Sequence, residues 1–330
     1  MPAACLVSRL QLIFSMGYNM RRQDKMLAGI DKTGLGLEVG PGYNPILPKH
    51  AGWNVLSVDH ADQAALIEKY RQLGVDTASI EPVDIVWCDG ALHEAVPESL
   101  LGQFDFCLAS HVIEHIPNPI AFFQSMARVL KPGGVLSLAV PDKRYTFDFF
   151  QPATSTADWL HAWKRGATVH SRRAIFQHIA YTAHLHGAIT WSRFYRSSPL
   201  TLFTPDLRAA FNAFEHMSEE AGSPYIDCHA WHFTPASFAL IVLELSFLGL
   251  IPMTVKADFP TKGCEFYISF INVPPQAQCE ADLTQQRLRL LERVVREQAG
   301  QWRALSPWSL RLPSGIVAVA RRLYRKVRGG

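Results

Sequence analysis

Leu37-Glu38-Val39-Gly40-Pro41-Gly42 ends an apolar run in a glycine-rich turn, where a backbone free of Cβ atoms can approach a bound molecule closely. Glu38 stands just before the turn, awkwardly for a pyrophosphate and better for a cationic ligand. Asp59 closes the next apolar run 21 residues later, a position from which an acid accepts hydrogen bonds from both hydroxyls of a ribose. Asp89 follows the third run and could receive an adenine amino group. Pro45 occupies the place of the third glycine in G-x-G-x-x-G, which counts against a dinucleotide.

A second group of chemically able residues follows the fourth apolar run. His111-Val112-Ile113-Glu114-His115 has the spacing of a zinc-peptidase pattern, but that chemistry needs a helix presenting both histidines, and Pro117 and Pro119 cut the segment short. Asp227, His229 and His232 suit the lining of a pocket, or a cap on the helix that follows, better than a metal. No metal is expected at either place.

The elements that must position these residues alternate. Leu35–Val39, Asn54–Val58, Asp84–Trp87, Phe104–Ala109 and Val135–Val140 read as buried strands. Helical periodicity covers Ala61–Leu73, Ala91–Leu101 and Ile120–Leu130. Such alternation implies right-handed βαβ units and a parallel sheet. After Pro141 the pattern breaks into a stretch rich in His, Trp, Phe and Arg, then resumes with a helix over Pro235–Leu248, capped by Thr234, and strands at Met253–Lys256 and Glu265–Ile271. The fold class expected is α/β: a Rossmann-like, seven-stranded, mainly parallel sheet with helices on both faces. Residues 142–230 form a helical or irregular insertion above the carboxyl ends of the strands, where such folds bind ligands. The expected divisions are an N-terminal helical lead-in over 1–30, with Arg21, Arg22 and Lys25 on its polar side, a main domain over 31–275, and a helical basic tail over 280–330 that includes a short helix at Ile316–Val327.

The net charge of +3 hides an asymmetry. Seven Arg or Lys and no acid follow from Gln301 onward, so the preceding 300 residues carry −4. That argues against a nucleic-acid surface on the folded body. Six cysteines lie scattered without a C-x-x-C pair, as in a reducing compartment. The longest apolar stretch, Phe238 to Met253, is interrupted by Glu244 and Pro252 and falls short of the roughly 20 residues that span a bilayer. A cytoplasmic location is expected.

Glu38-x-Gly40-x-Gly42, the acids at 59 and 89, the Glu114-His115 turn and Leu130-Lys-Pro-Gly-Gly134 together resemble the ordered motifs of class I S-adenosylmethionine-dependent methyltransferases over about residues 34 to 142. The resemblance implies S-adenosyl-L-methionine as cofactor, with Glu38, Gly40 and Gly42 around its amino-acid part, Asp59 at the ribose, Asp89 at adenine, and Ser110 and His111 at the methyl end. Pro45 and Pro48 leave the usual first helix short or irregular, for which the Asn44 side chain could compensate. Val140-Pro-Asp-Lys-Arg-Tyr-Thr-Phe-Asp148, His229-x-Trp231-x-Phe233-Thr-Pro235 and the tail around Trp302-Arg-x-Leu-x-x-Pro307 are similar to a bacterial methyltransferase subgroup associated with surface-polysaccharide biosynthesis.

Methyl transfer to a hydroxyl needs an aligned nucleophile and a base. His111, His115, Asp142, His229 and His232 are the candidates for the base, and Lys143, Arg144, Tyr145 and Trp231 for substrate contacts. The acceptor expected is a sugar or glycan intermediate. An aromatic or other small apolar metabolite is the alternative, and a non-catalytic nucleotide-fold docking module the third reading. The basic C-terminal helix offers a contact to a protein or to the inner membrane face.

Overall fold

The computed structural model describes residues 20–192 and 200–305. Most of the expected N-terminal lead-in, the Ile316–Val327 helix and the Trp302–Pro307 signature's end lie outside the described residues.

A seven-stranded sheet organises the chain in the order β3-β2-β1-β4-β5-β9-β8. Its strands are β1 (Gly36–Val39), β2 (Val55–Asp59), β3 (Ile85–Val86), β4 (Phe104–Ser110), β5 (Leu130–Pro141), β8 (Thr254–Lys262) and β9 (Glu265–Ile271). The first five pair in parallel, and β9 joins β5 and β8 antiparallel. All of β1 and nearly all of β4 and β5 is buried, as continuous apolar runs require when both faces are covered.

Short helices surround the sheet. Arg22–Met26 is α1, Gln63–Gln72 α2, Leu92–Ala95 α3, and Pro119–Val129 α4. Asn118 caps α4 by accepting the Ala121 N–H, with Pro119 in the first turn where its missing donor does no harm. The expected helix over 91–101 is broken: α3 stops before Pro97, and a separate 3-10 turn covers Glu98–Leu100. The segment after Gly42 holds only a 3-10 turn at Lys49–Ala51, as its prolines dictate. Lys25 is buried rather than on the polar side of α1, its ammonium 4.8 Å from the Tyr267 ring centre.

The insertion holds α5 (Thr156–Lys164), α6 (Arg172–Tyr181), a two-stranded ribbon of β6 (Ala183–His184) with β7 (Thr201–Leu202), and α7 (Leu207–His216). Trp159 on α5 is fully buried against Phe123, Phe233 and Phe238, which fastens the insertion to the main core. The chain returns through α8 (Pro235–Phe247), whose cap Thr234 accepts from the Ser237 N–H, and ends its described part in α9 (Glu280–Leu305). No helix among the described residues is long and apolar enough to cross a membrane.

Candidate functional site

The carboxyl ends of β1, β2, β3 and β4 open into one cavity of about 640 Å³, within the range of ordinary ligand sites. Gly40 lines it with φ +65°, and a Cβ there would stand 2.8 Å from Val112 Cγ2. Glycine at this position satisfies the backbone twist and the close approach together. Asp59 and Asp89 line the same cavity. Asp59 is buried; one oxygen accepts the Gly42 N–H at 3.1 Å, and the other accepts from the backbone and ring of His60 at 2.8 and 2.7 Å. Asp89 is exposed and accepts from the Gly90 N–H at 2.7 Å.

Other expected contacts sit elsewhere. Glu38 does not line the cavity. Its two oxygens accept the Ile46 and Leu47 N–H groups at 2.7 and 2.9 Å, so it folds the proline-bearing loop instead of facing a ligand. Burial pushes Glu38 up to about 7, against the pull of those two amides. Gly42 is buried beneath Tyr70, and Asn44 is exposed outside the cavity with its N–H turned back to the Pro41 carbonyl. Ser110 also lies outside it and accepts from Arg22 at 2.6 Å.

At the other end of the cavity are His111 and His115. His111 follows β4 with φ +55°, a conformation a residue with a side chain adopts only when its surroundings impose it. Its Nε2 is 2.8 Å from Glu265 Oε2, at the start of β9, and Arg22 in turn grips Glu265 at 2.7 and 3.1 Å. Glu265 lies well down, at about 2: burial opposes its ionisation, and the His111 and Arg22 hydrogen bonds prevail. His115 Nδ1 is 2.7 Å from Asp227 Oδ1, and Asp227 also receives Lys69 at 3.2 Å across the cavity mouth. Residues 227–233 cross the carboxyl ends of the strands, held by the Ala230 and Trp231 N–H groups on the Glu114 carbonyl and by a bridge from Asp142 to Phe233. That crossing delivers His229 beside His115, with ring centres 4.5 Å apart. His229 Nδ1 lies 2.6 Å from Asp148 Oδ2; burial opposes a charge on His229, and Asp148 outweighs it and draws the imidazole upward.

Asp142 and His232 do not join this group. Asp142 is fully buried and takes hydrogen bonds from Arg144 at 2.8 and 2.5 Å and from the Thr261 hydroxyl at 2.6 Å. That network ties β5 to the hairpin and leaves Asp142 no face toward the cavity. His232 is buried with its Nε2 near the His229 carbonyl at 3.1 Å, and it lines a separate hollow between α5 and α6 together with Trp231. Trp231 donates its indole N–H to the Ile116 carbonyl at 2.6 Å.

The expected substrate residues are likewise redirected. Lys143 is buried, bonded to the Phe149 carbonyl and to Gln301, each at 3.2 Å. Arg144 and Tyr145 line a different and larger cavity, about 960 Å³, between α8, the β8–β9 hairpin and α9. Its volume exceeds that of the first, but Gly40, Asp59, Asp89, His111 and His115 all face the smaller one. The chemistry points there. Asp227 lines the cavity, as a pocket residue is expected to. Glu265 is not among the expected site residues, and Glu114 and Asp148 stand within sequence motifs without a role of their own; Asp148 and Glu265 each meet a histidine 81 or 154 residues away.

A family model described as a methyltransferase domain matches residues 17–201. A ubiquinone biosynthesis O-methyltransferase of Actinobacillus pleuropneumoniae is 32% identical over 117 residues, 36% of this chain and 37% of that protein. One from Xanthomonas oryzae pv. oryzae is 30% identical over 124 residues, 37% of this chain and 49% of that protein. The matched part therefore spans less than half the length of these curated relatives. A solved S-adenosylmethionine-dependent methyltransferase from Aquifex aeolicus superposes with TM-score 0.37 at 13% identity, covering 81% of this chain and 98% of that one. A putative one from Listeria monocytogenes gives 0.36 at 14% identity, covering 76% and 94%.

Proposed function

The chain belongs to the methyltransferase-domain family, and from that premise we propose that it transfers a methyl group from S-adenosylmethionine to a hydroxyl oxygen of a small molecule. The observation that carries the reading is the single cavity with Gly40, Asp59 and Asp89 at one end and His111 and His115 at the other. A ribose-bearing cation fits it: Gly40 leaves space at the turn, and Asp59 already accepts from three donors that ribose hydroxyls can partly replace. When bound, S-adenosylmethionine supplies an activated methyl carbon.

The protein's part is alignment, exclusion of water and handling of one proton. Asp59 orients the ribose, and Asp89 receives the adenine edge. Tyr70, Lys69 and Asp227 narrow the mouth of the cavity. In this reading His111, held by Glu265 at the cavity wall, takes the acceptor's proton, and His115, held by Asp227, lies beside it.

Oxygen as the acceptor atom draws support from the curated relatives, whose names specify O-methylation. A sugar or glycan acceptor and a phenol are the two classes to screen. The residues that argued for a sugar are engaged in internal contacts or line the other cavity, so a phenol has equal standing. Titration of S-adenosylmethionine into the wild type and Asp59→Ala tests the reading. Saturable binding, weakened about 10-fold or more by loss of two charge-assisted hydrogen bonds, is expected; no binding to folded protein refutes it.

A further inference from the structure

Glu114 is fully buried, and neither of its carboxylate oxygens has a hydrogen-bond partner. A bare carboxylate in that state is costly unless something positive meets it. Three imidazole nitrogens surround its Oε1 instead: His111 Nδ1 at 3.7 Å, His229 Nε2 at 3.9 Å and His115 Nε2 at 4.0 Å. These distances are too long for hydrogen bonds. Each ring is held from behind by a different carboxylate: Glu265 on His111 Nε2, Asp227 on His115 Nδ1 and Asp148 on His229 Nδ1. A carboxylate behind a histidine fixes the tautomer and turns the opposite nitrogen forward, the arrangement that accompanies metal-bound histidine. Here three such pairs converge on one unpartnered acid. With Nδ1–H given to Asp148, Nε2 of His229 is left to offer a lone pair to a cation or to carry a second proton.

We propose that Glu114, His115 and His229, whose ligand atoms all lie within 4.8 Å of one another, bind one divalent first-row transition-metal ion at the inner end of the cavity, with His111 beside them. Two imidazoles and one carboxylate suit zinc, cobalt or iron more than magnesium or calcium, which take oxygen ligands. A tetrahedral ion with bonds of about 2.0–2.1 Å separates its ligand atoms by roughly 3.4 Å. The ligand atoms of Glu114, His115 and His229 lie within 4.8 Å of one another, so drawing in by at most roughly 1.4 Å completes the set. The sequence pattern argued against a metal because a helix was required of it. The structure does without the helix: a 3-10 turn over Ile113–His115 carries two ligands, and the distant crossing segment the third. His111 and His115 also face the cavity. On the methyltransferase reading, and resting on it, the three ligands leave a fourth position for the acceptor's oxygen, whose hydroxyl proton passes to His111 at the cavity wall.

Chelator-stripped full-length protein is titrated with Zn²⁺ and Co²⁺, and the zinc-loaded wild type is examined by X-ray absorption. One equivalent is expected, with visible cobalt absorption that zinc displaces and a coordination sphere containing imidazoles. Asp148→Asn, which leaves every ligand in place, weakens zinc binding by roughly 10–100-fold; Glu114→Gln weakens it more, and His50→Gln, on the exposed surface, leaves it unchanged. A folded wild type that takes up no zinc or cobalt, or holds zinc without imidazole scattering, overturns the proposal even where a Glu114 variant fails to fold. Titration of S-adenosylmethionine into the same stripped protein reports separately on the methyltransferase reading, so the two can fail independently.

Discussion

Asp227 and His115, 112 residues apart, meet at 2.7 Å across the boundary between the insertion and the strand ends. Burial opposes ionisation of Asp227, but the His115 hydrogen bond and Lys69 hold it well below the usual carboxylate range. On the proposed reading Asp227 acts by orienting His115. Asp227→Asn is expected to lower kcat by about 10–100-fold, with the Kd for S-adenosylmethionine changed less than about threefold. Steady-state kinetics beside calorimetry separates the two. An equal loss in both would assign Asp227 to cofactor binding.

Gly40 is predicted to tolerate no side chain. Its φ of +65° and the nearby Val112 make Gly40→Ala strained on two counts. The left-handed backbone alone costs about 1–2 kcal/mol. Thermal unfolding should show a lower Tm, and cofactor affinity should fall as the turn shifts. An unaltered Tm would mean that the turn relaxes freely.

Glu38 gives stability a dependence on pH. Its folded value is near 7 against an ordinary 4.5, so the folded chain holds the proton more tightly than the unfolded one. The stability contributed is full below about pH 4.5 and is lost as pH rises through about 7. Urea unfolding of wild type against Glu38→Gln should show the wild type losing ground over that window by on the order of 3 kcal/mol. Parallel profiles would show that the two loop amides hold Glu38 ionised throughout.

Trp159 fastens the insertion. Trp159→Ala removes a fully buried indole from between Phe123, Phe233 and Phe238, a loss of about 3–5 kcal/mol. Proteolysis should then cut within residues 142–230 first. Cleavage elsewhere at the same rate would argue that the insertion stands by itself.

Much of this architecture is legible from periodicity because parallel strands covered on both faces leave long apolar runs, as in Phe104–Ser110. The Thr234-Pro235 and Asn118-Pro119 helix starts are legible too, since capping is local chemistry. Asp59 and Asp89 follow from their positions at strand ends. Glu38 does not: spacing places it at the turn but says nothing of the two amides that claim its oxygens. Asp142, Lys143 and Arg144 look like a substrate-reading run in one dimension and become internal ties in three. The partners of His111 and His229 arise only when remote segments meet, and periodicity carries no information about that.

Glu265 is the first residue of β9, the last strand to join the sheet, yet it braces His111 beside the glycine turn. A ribosome delivers this chain from its amino end, so β1 to β4 and the whole insertion emerge while His111 still lacks its brace. The His111–Glu265 contact therefore waits until the hairpin has left the ribosome and β9 has paired with β5. Translation arrested before residue 265 leaves His111 without Glu265, β5 without its antiparallel neighbour and the core without Phe266, Ile268 and Phe270.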